Sequence, residues 1–207
     1  MLEHLTDRTP GKAIPIEPVV KEKLDPWLKG QSAPTQAWVA ANGFTAAPGR
    51  HLLIPDAAGN IGAVLLGVAE ERDIWSYGGL PMSLPDAVYR LPDELDGAAA
   101  TAAALGWALG GYGFERYKKR ERRPARLAMP KTADKAAVRR DAEAIFLVRD
   151  LINTPAEDMG PAELAEAARA VAIAGGAKFS VIVGDALLKR NYPCIHAVGR
   201  ASTRAPR

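Results

Sequence analysis

The sequence predicts an α/β protein. A mixed sheet flanked by helices forms an N-terminal domain, a long helix connects it to the next part of the chain, and the first elements of a second, truncated α/β domain follow. Three observations support this prediction: short apolar runs separated by turn residues, a helical repeat of apolar residues beyond residue 130, and a helix–strand–helix pattern after residue 160. The predicted divisions are 1–131, 132–155 and 156–207.

The composition is that of a folded protein with a hydrophobic core. Hydrophobic residues make up 48% of the chain and charged residues 25%, which argues against bulk disorder. The single cysteine, Cys194, cannot form an internal disulfide, so a reducing compartment is expected. Glu3 and Asp7 interrupt any apolar run near the start, so no secretory signal is expected there.

The first elements follow from local signals. Residues 1–12 are predicted to be a mobile leader, and 12–16 a short edge strand, because Pro15 cannot donate to a sheet ladder. A short helix is expected over 33–42, with Gly43 as its C-terminal stop.

Strands and a buried helix follow. The apolar runs at 51–55 and 62–68 flank the turn residues 56–60 and predict a hairpin, and 88–91 is predicted to be a third strand. The uncharged stretch 98–114 approaches the length of a membrane span. It consists mainly of Ala and Gly, which favours a buried helix and predicts no membrane association.

The second half begins with a strand at 126–130 and a long helix. Thr132 is the expected N-cap, and the helix ends near Asn153 because Pro155 disfavours helical geometry at Thr154. Its predicted buried face consists of Val138, Ala142, Ile145, Val148 and Ile152.

A new unit is predicted after Pro161, which suits the first turn of a helix ending near Gly175. A strand over 178–183 and a short helix capped by Gly184 and Asp185 should follow it. The first helix should carry an inner stripe of Leu164, Ala168, Val171 and Ala172.

The most informative stretch is 149–161, which reads Arg-Asp-Leu-Ile-Asn-Thr-Pro-Ala-Glu-Asp-Met-Gly-Pro. It resembles the interdomain segment of the cytosol (leucyl) aminopeptidase family. The runs 183–185, 198–202 and 205–207 continue the resemblance in the same order. Looser similarity covers most of the chain, including Trp38, Gly43, Phe44, Gly49, Gly67, the run Leu105–Gly110, Phe114 and Tyr117.

Members of that family are two-metal enzymes that release N-terminal amino acids from peptides. The resemblance therefore implies a parent peptidase that uses zinc or manganese, assembles as a hexamer and works in the cytoplasm. In the family the metal-binding motifs come only after the part that this chain resembles. The resemblance thus implies the N-terminal portion of such an enzyme, inactive alone.

No catalytic, cofactor-binding or metal-binding residue is expected anywhere within residues 1–207. The family's metal signature resembles Asn-Thr-Asp-Ala-Glu-Gly-Arg, and the similar run 153–157 has Pro155 where a carboxylate ligand would be required. The other candidate ligands are better explained by solvation, helix capping or packing; they are Asp150, Glu157, Asp158, His4, His51, His196 and Cys194. Among them, Cys194 is expected in the core, and His196 is expected to be packed or interfacial.

One segment supports an alternative function. Between residues 115 and 126 seven basic side chains stand against two acidic ones, and aromatic residues precede them. A basic run that ends a helix is more often simply solvated. The alternative is a module without enzymatic activity, which either docks on relatives through 156–207 or binds nucleic acid through Arg116, Lys118, Lys119, Arg120, Arg122 and Arg123.

Overall fold

A computed structural model describes residues 2–8, 10–70 and 72–207, and the chain divides into two compact units, Met1–Phe146 and Leu147–Arg207. The first unit contains a six-stranded mixed sheet of order β1-β6-β5-β2-β4-β3, in which only the β3–β4 pair is antiparallel. The predicted mixed α/β class is confirmed. The strands are β1 Leu5–Thr6, β2 Ile14–Val20, β3 His51–Pro55, β4 Ile61–Val68, β5 Val88–Arg90 and β6 Arg126–Ala128.

Helices cover both faces of this sheet, because side chains alternate between its two faces. In β4, Val64, Leu66 and Val68 belong to one core, whereas Leu65 belongs to the other. The second, smaller core packs under α1 and α2, and the larger under α3 to α6. The helices are α1 Leu24–Lys29, α2 Ala33–Ala41, α3 Trp75–Gly78, α4 Leu80–Ser83, α5 Gly97–Gly110 and α6 Lys135–Asn153.

The predicted hairpin and its neighbouring helix form as expected. Asp56 Oδ1 accepts hydrogen bonds of 2.8 Å from the backbone amides of Ala58 and Asn60, which closes the turn between β3 and β4. Ser32 caps α2, and Gly43 follows that helix with a φ of +57°, a conformation that glycine adopts without strain.

The Ala-rich helix α5 is buried, as predicted. Its small residues let it approach α3 so closely that a Cβ at Gly106 or Gly110 would overlap the carbonyl oxygens of Ile74 and Gly78. Trp107 is completely buried on this helix and donates through Nε1 to the carbonyl of Ala125 at 3.2 Å. No helix among the described residues is long and apolar enough to cross a membrane.

Two predictions for the start of the first unit are wrong. Strand β2 lies inside the sheet, and it tolerates its prolines because β5 pairs only with Ile14 and Pro15 while β4 pairs with 16–20. Part of the expected leader is ordered, since Leu5 and Thr6 pair with β6; residues 1 and 9 lie outside the described residues.

The long helix begins later than predicted. Asp134, rather than Thr132, caps it, with Oδ1 accepting from Ala137 N at 2.9 Å. The Thr132 hydroxyl donates to the Leu95 carbonyl instead. Only the first half of the predicted buried face is buried, because Val148 and Ile152 are exposed, Ile152 by 76%.

The second unit contains α7 Pro161–Ala174, α8 Ala186–Lys189 and α9 Pro193–Gly199. The strand predicted at 178–183 is absent from the described structure, because no neighbouring strand pairs with this segment. The predicted inner stripe of α7 is not covered within this unit, since Leu164 and Val171 are more than half exposed. Cys194 is exposed, so its expected core position is wrong.

Candidate functional site: the corner after the long helix

The chain turns sharply where α6 ends, at the segment that the sequence singled out. The backbone amide and the hydroxyl of Thr154 both donate to the Asp150 carbonyl, at 3.0 and 2.7 Å, and Thr154 is buried. Pro155 follows, and its carbonyl accepts from the Asp158 amide at 2.9 Å. The corner is therefore fixed by short-range hydrogen bonds and by the restricted torsions of proline.

Arg204 closes this corner from the far end of the chain. Its guanidinium donates to the carbonyl of Ala156 at 2.9 Å and to that of Glu157. It passes so close to Gly160 that a Cβ there would lie 2.7 Å from Arg204 Nη1. The planar fork of arginine suits this bidentate grip on two successive carbonyls. No sequence signal identified Arg204 in this role, because its partners lie almost fifty residues upstream.

The same corner caps helix α7. The Gly160 amide donates to Glu163 Oε2 at 3.0 Å, which satisfies one of the free amides at the helix start. Hydrogen bonds from the amides of Glu163 and Gly160, together with the nearby positive charge of Arg204, hold the pKa of the Glu163 carboxyl below its ordinary value. The carboxylate therefore stays ionised while it caps the helix.

The terminal segment contacts the other motif residues of the second unit. The Gly184 amide donates to the Pro206 carbonyl at 2.8 Å, and Gly199 packs against the Pro206 ring, where a Cβ would overlap it. The structure thus joins the four stretches that the sequence analysis named separately: 149–161, 183–185, 198–202 and 205–207. Arg204, which contacts the first of them, lies between the last two. Gly160 and Gly199 leave room for the Arg204 and Pro206 side chains, whereas Gly184 adopts a φ of +58°, a conformation that favours glycine.

The corner offers no ligand set for a metal. Among the described residues, no three His, Cys, Asp or Glu side chains are grouped closely enough to hold an ion. His196 lies 3.1 Å from Asp185 Oδ1 as an isolated pair. His4 is buried in the first unit, with Nε2 3.0 Å from the Ala108 carbonyl, and His51 is half-buried on β3.

The basic segment is partly built into the fold. Arg120 pairs with Glu115 and donates to the Gly111 carbonyl at 2.9 Å. Arg122 donates to the carbonyls of Met82, at 2.9 Å, and Leu84. Two of the six residues predicted to contact nucleic acid therefore hold the loop in place through these hydrogen bonds, which makes them poor candidates for binding phosphate.

The other basic side chains point outward. The Arg116 guanidinium lies 5.6 Å from the centre of the Tyr117 ring, and Lys118 makes a fully solvated pair of 3.9 Å with Glu121. Lys119 and Arg123 are exposed. These four side chains form an ordinary solvated basic surface.

Two family models match the chain in succession, and both describe peptidases. The first, the M17 aminopeptidase N-terminal domain, matches residues 14–130, and the second, the catalytic domain of the cytosol aminopeptidase family, matches residues 146–207. The chain belongs to the cytosol aminopeptidase family.

Individual relatives agree with this membership. A probable cytosol aminopeptidase of Rhodococcus jostii is 34% identical over 167 residues, which are 70% of this chain and 32% of that protein. A cytosol aminopeptidase structure from Coxiella burnetii is 39% identical with a TM-score of 0.88, over 99% of this chain and 44% of that one. The bottromycin maturation enzyme BotP is 26% identical with a TM-score of 0.66, over 93% of this chain and 44% of that one. The chain thus spans about a third of the curated relative and less than half of each solved one.

Proposed function

We propose that residues 1–207 are the N-terminal portion of a two-metal leucyl aminopeptidase that releases N-terminal amino acids from peptides. One observation carries the proposal: almost the whole chain superimposes on the Coxiella burnetii cytosol aminopeptidase, and it accounts for only 44% of that protein. The fold is a necessary scaffold for such an enzyme, whereas the chemistry requires residues beyond those present here.

We further propose that the three predicted divisions have separate roles. Residues 1–131 would form the accessory domain, 132–155 the connecting helix and corner, and 156–207 the opening elements of the catalytic domain. The family matches at 14–130 and 146–207 support this division. The grip of Arg204 on the carbonyls after Pro155 supports a positioning role for the corner, since it fixes the path of the chain there.

The metals would be zinc or manganese, held by residues outside this stretch. One solved relative, BotP, is described in complex with Mn. The residues present here do not fit such a centre, because the described part of the chain contains no group of three metal-ligating side chains. The proposal therefore assigns no catalytic, cofactor-binding or metal-binding residue, and no reaction step, to residues 1–207.

Hydrolysis of a leucine-linked chromogenic substrate tests this assignment. The purified 207-residue chain with added manganese should give no turnover above a metal-only blank. The Coxiella burnetii enzyme under the same conditions serves as the positive control. Metal-dependent turnover that follows this chain through purification would contradict the proposal that the catalytic residues lie elsewhere.

The parent enzyme would be a cytoplasmic hexamer, an expectation that rests on family resemblance. A nucleic-acid role of the basic loop is less favoured, because Arg120 and Arg122 donate to backbone carbonyls. Its test should change Lys118, Lys119 and Arg123 to alanine, since these substitutions leave that scaffold intact. Salt-dependent DNA binding that these changes abolish would establish the role; equal binding by the variant would exclude this surface.

A further inference from the structure

A cavity of about 340 Å³ lies in the first unit at the carboxyl ends of the parallel strands. Val20 and Val68 are the last residues of β2 and β4, Pro92 follows β5, and Asp96 and Ala99 come from the start of α5. The crevice outside the carboxyl ends of parallel strands is where open α/β sheets usually bind ligands. Its volume is at the lower end of the range for small-molecule sites.

One buried tyrosine lines this cavity. Tyr77 is only 2% exposed, and it contributes a hydroxyl to a lining that is otherwise largely apolar. A hydroxyl in this position can form a hydrogen bond with a ligand. Burial, reinforced by the charge of Asp73, raises the pKa of Tyr77, so the hydroxyl stays protonated and can both donate and accept.

The charges around the cavity favour a positive ligand. The carboxylates of Glu94 and Asp96 line it together with one base, Lys23, and Arg72 is close enough for its charge to act on Asp96. Asp73 adds a third negative charge, which acts at the Tyr77 hydroxyl. Glu17 also lines the cavity, but strand alternation directs its side chain to the other face, where it lines a second cleft.

The two nearby carboxylates are already committed to structure. Asp96 Oδ1 accepts from the amides of Ala98 and Ala99 at 2.7 and 2.9 Å. The oxygens of Asp73 accept from the amides of Ala69, Trp75 and Ser76. They therefore supply a fixed negative field, while the Tyr77 hydroxyl and the exposed Glu94 remain for direct contact. The rest of the lining is largely apolar: Pro18, Val20, Val68, Pro92, Leu95 and Ala99.

We propose that this cavity binds a small primary amine with an apolar body, of about the size of a hydrophobic amino acid amide. The Tyr77 hydroxyl would accept a hydrogen bond from the ammonium, the surrounding carboxylates would stabilise its charge, and Val20 and Val68 would contact the apolar part. This inference is independent of the proposed peptidase function, because it involves only residues of the first unit.

NMR titration of the full chain with 3-methylbutylamine and with L-leucinamide tests the proposal. Both amines should shift the backbone amide signals of Val20, Val68 and Ala99, with dissociation constants of about 1 mM or below. 4-Methylpentanoate and 3-methylbutan-1-ol match the first amine in shape but lack the positive charge, and they should bind at least about tenfold more weakly. Ammonium chloride at equal concentration controls for ionic strength.

Two variants and a matched control sharpen the test. Tyr77→Phe removes only the hydroxyl and should weaken amine binding about 2- to 10-fold. Glu94→Gln removes one negative charge and should weaken amine binding by only about 2- to 5-fold, because this carboxylate is exposed and its charge is screened by solvent. Asp93→Asn is the control, because Asp93 does not line the cavity and pairs with Lys131 at 3.7 Å; it should leave the affinity unchanged.

The spectrum of each variant without ligand shows whether its fold is retained. Amine binding that is selective over the acid and the alcohol, and weaker in Tyr77→Phe, supports the proposal. Absence of shifts at the three amides, equal binding of the uncharged alcohol, or unchanged affinity in a folded Tyr77→Phe protein would each overturn it.

Discussion

Replacing Gly106 by alanine tests how closely α5 packs against the start of α3. A Cβ at Gly106 would overlap the carbonyl oxygen of Ile74, lie 3.0 Å from the carbonyl carbon of that residue and lie 3.3 Å from Tyr77 Cβ. The blocking oxygen belongs to the backbone and cannot rotate away. One of the two elements must therefore move by about 1 Å in a close-packed core.

The expected net cost is about 2 kcal/mol. Overpacking of a core costs about 1 to 3 kcal/mol, and the upper end applies here because the backbone must shift. The change from glycine to alanine inside a helix returns about 1 kcal/mol. A loss of about 2 kcal/mol corresponds to a melting temperature lower by about 4 to 8 °C in a domain of this size.

Urea unfolding followed by tryptophan fluorescence measures this cost. All four tryptophans lie in the first unit, so their fluorescence follows that unit alone. Gly79→Ala is the matched control, because no atom lies within 4 Å of its added Cβ and its φ of −78° suits alanine. The control should unfold at or slightly above the wild-type midpoint. If Gly106→Ala unfolded at the same urea concentration as the wild-type protein, the reasoning from close packing would be refuted.

Three further substitutions have expected outcomes. Hydrogen bonds lower the pKa of Asp73 against the opposing effect of burial, so Asp73→Asn should cost about 1 to 2 kcal/mol in urea unfolding at neutral pH. That difference should shrink as the pH falls below about 4, because the carboxyl of the unfolded state is protonated first and that of the native state only at lower pH. A difference that does not change with pH would contradict this account of Asp73. Burial lowers the pKa of His4, so the folded state prefers the neutral ring. The free energy of unfolding of the wild-type protein should therefore decrease between about pH 7 and pH 5, and that of His4→Gln should decrease less steeply. Equal slopes for the two proteins would exclude His4 as the cause of the pH dependence. Arg204→Gln should accelerate amide hydrogen exchange at residues 157–160, whereas Arg200→Gln should not, and equal exchange in both would argue against the grip of Arg204 on the corner.

The elements that the sequence predicted well are those with local causes. The β3–β4 hairpin follows from the Asp56 turn, α2 from the Ser32 cap and Gly43, and the end of α6 from Pro155. Each of these signals acts within a few residues of the feature that it determines. The family resemblance likewise came from a continuous run, 149–161, and the family matches confirm it.

The features that the sequence did not predict depend on distant partners. The inner position of β2 arises from staggered pairing with two strands, which no pattern within residues 14–20 reveals. Thr132 and Asp134 are both good caps, and the choice between them is made by the Leu95 carbonyl, 37 residues away, which binds the Thr132 hydroxyl. The Arg204 grip spans 48 residues and was missed for the same reason.

The second unit departs most from prediction because periodicity indicates which face of an element could be buried, and not whether anything covers it. The stripe of α7 and the segment 178–183 have the expected apolar pattern, yet Val171, Phe179 and Val181 are exposed within the described unit. This agrees with the proposal that the second unit is the opening part of a larger catalytic domain.

The most direct test of the central proposal is the intact mass of the native gene product in its own cells, measured by mass spectrometry after immunoprecipitation. The proposal predicts a species more than twice as heavy as 22.0 kDa, because the chain covers only 44% of the Coxiella burnetii enzyme. A native product of 22.0 kDa, with no heavier form, would contradict the assignment of this chain as the front portion of an aminopeptidase.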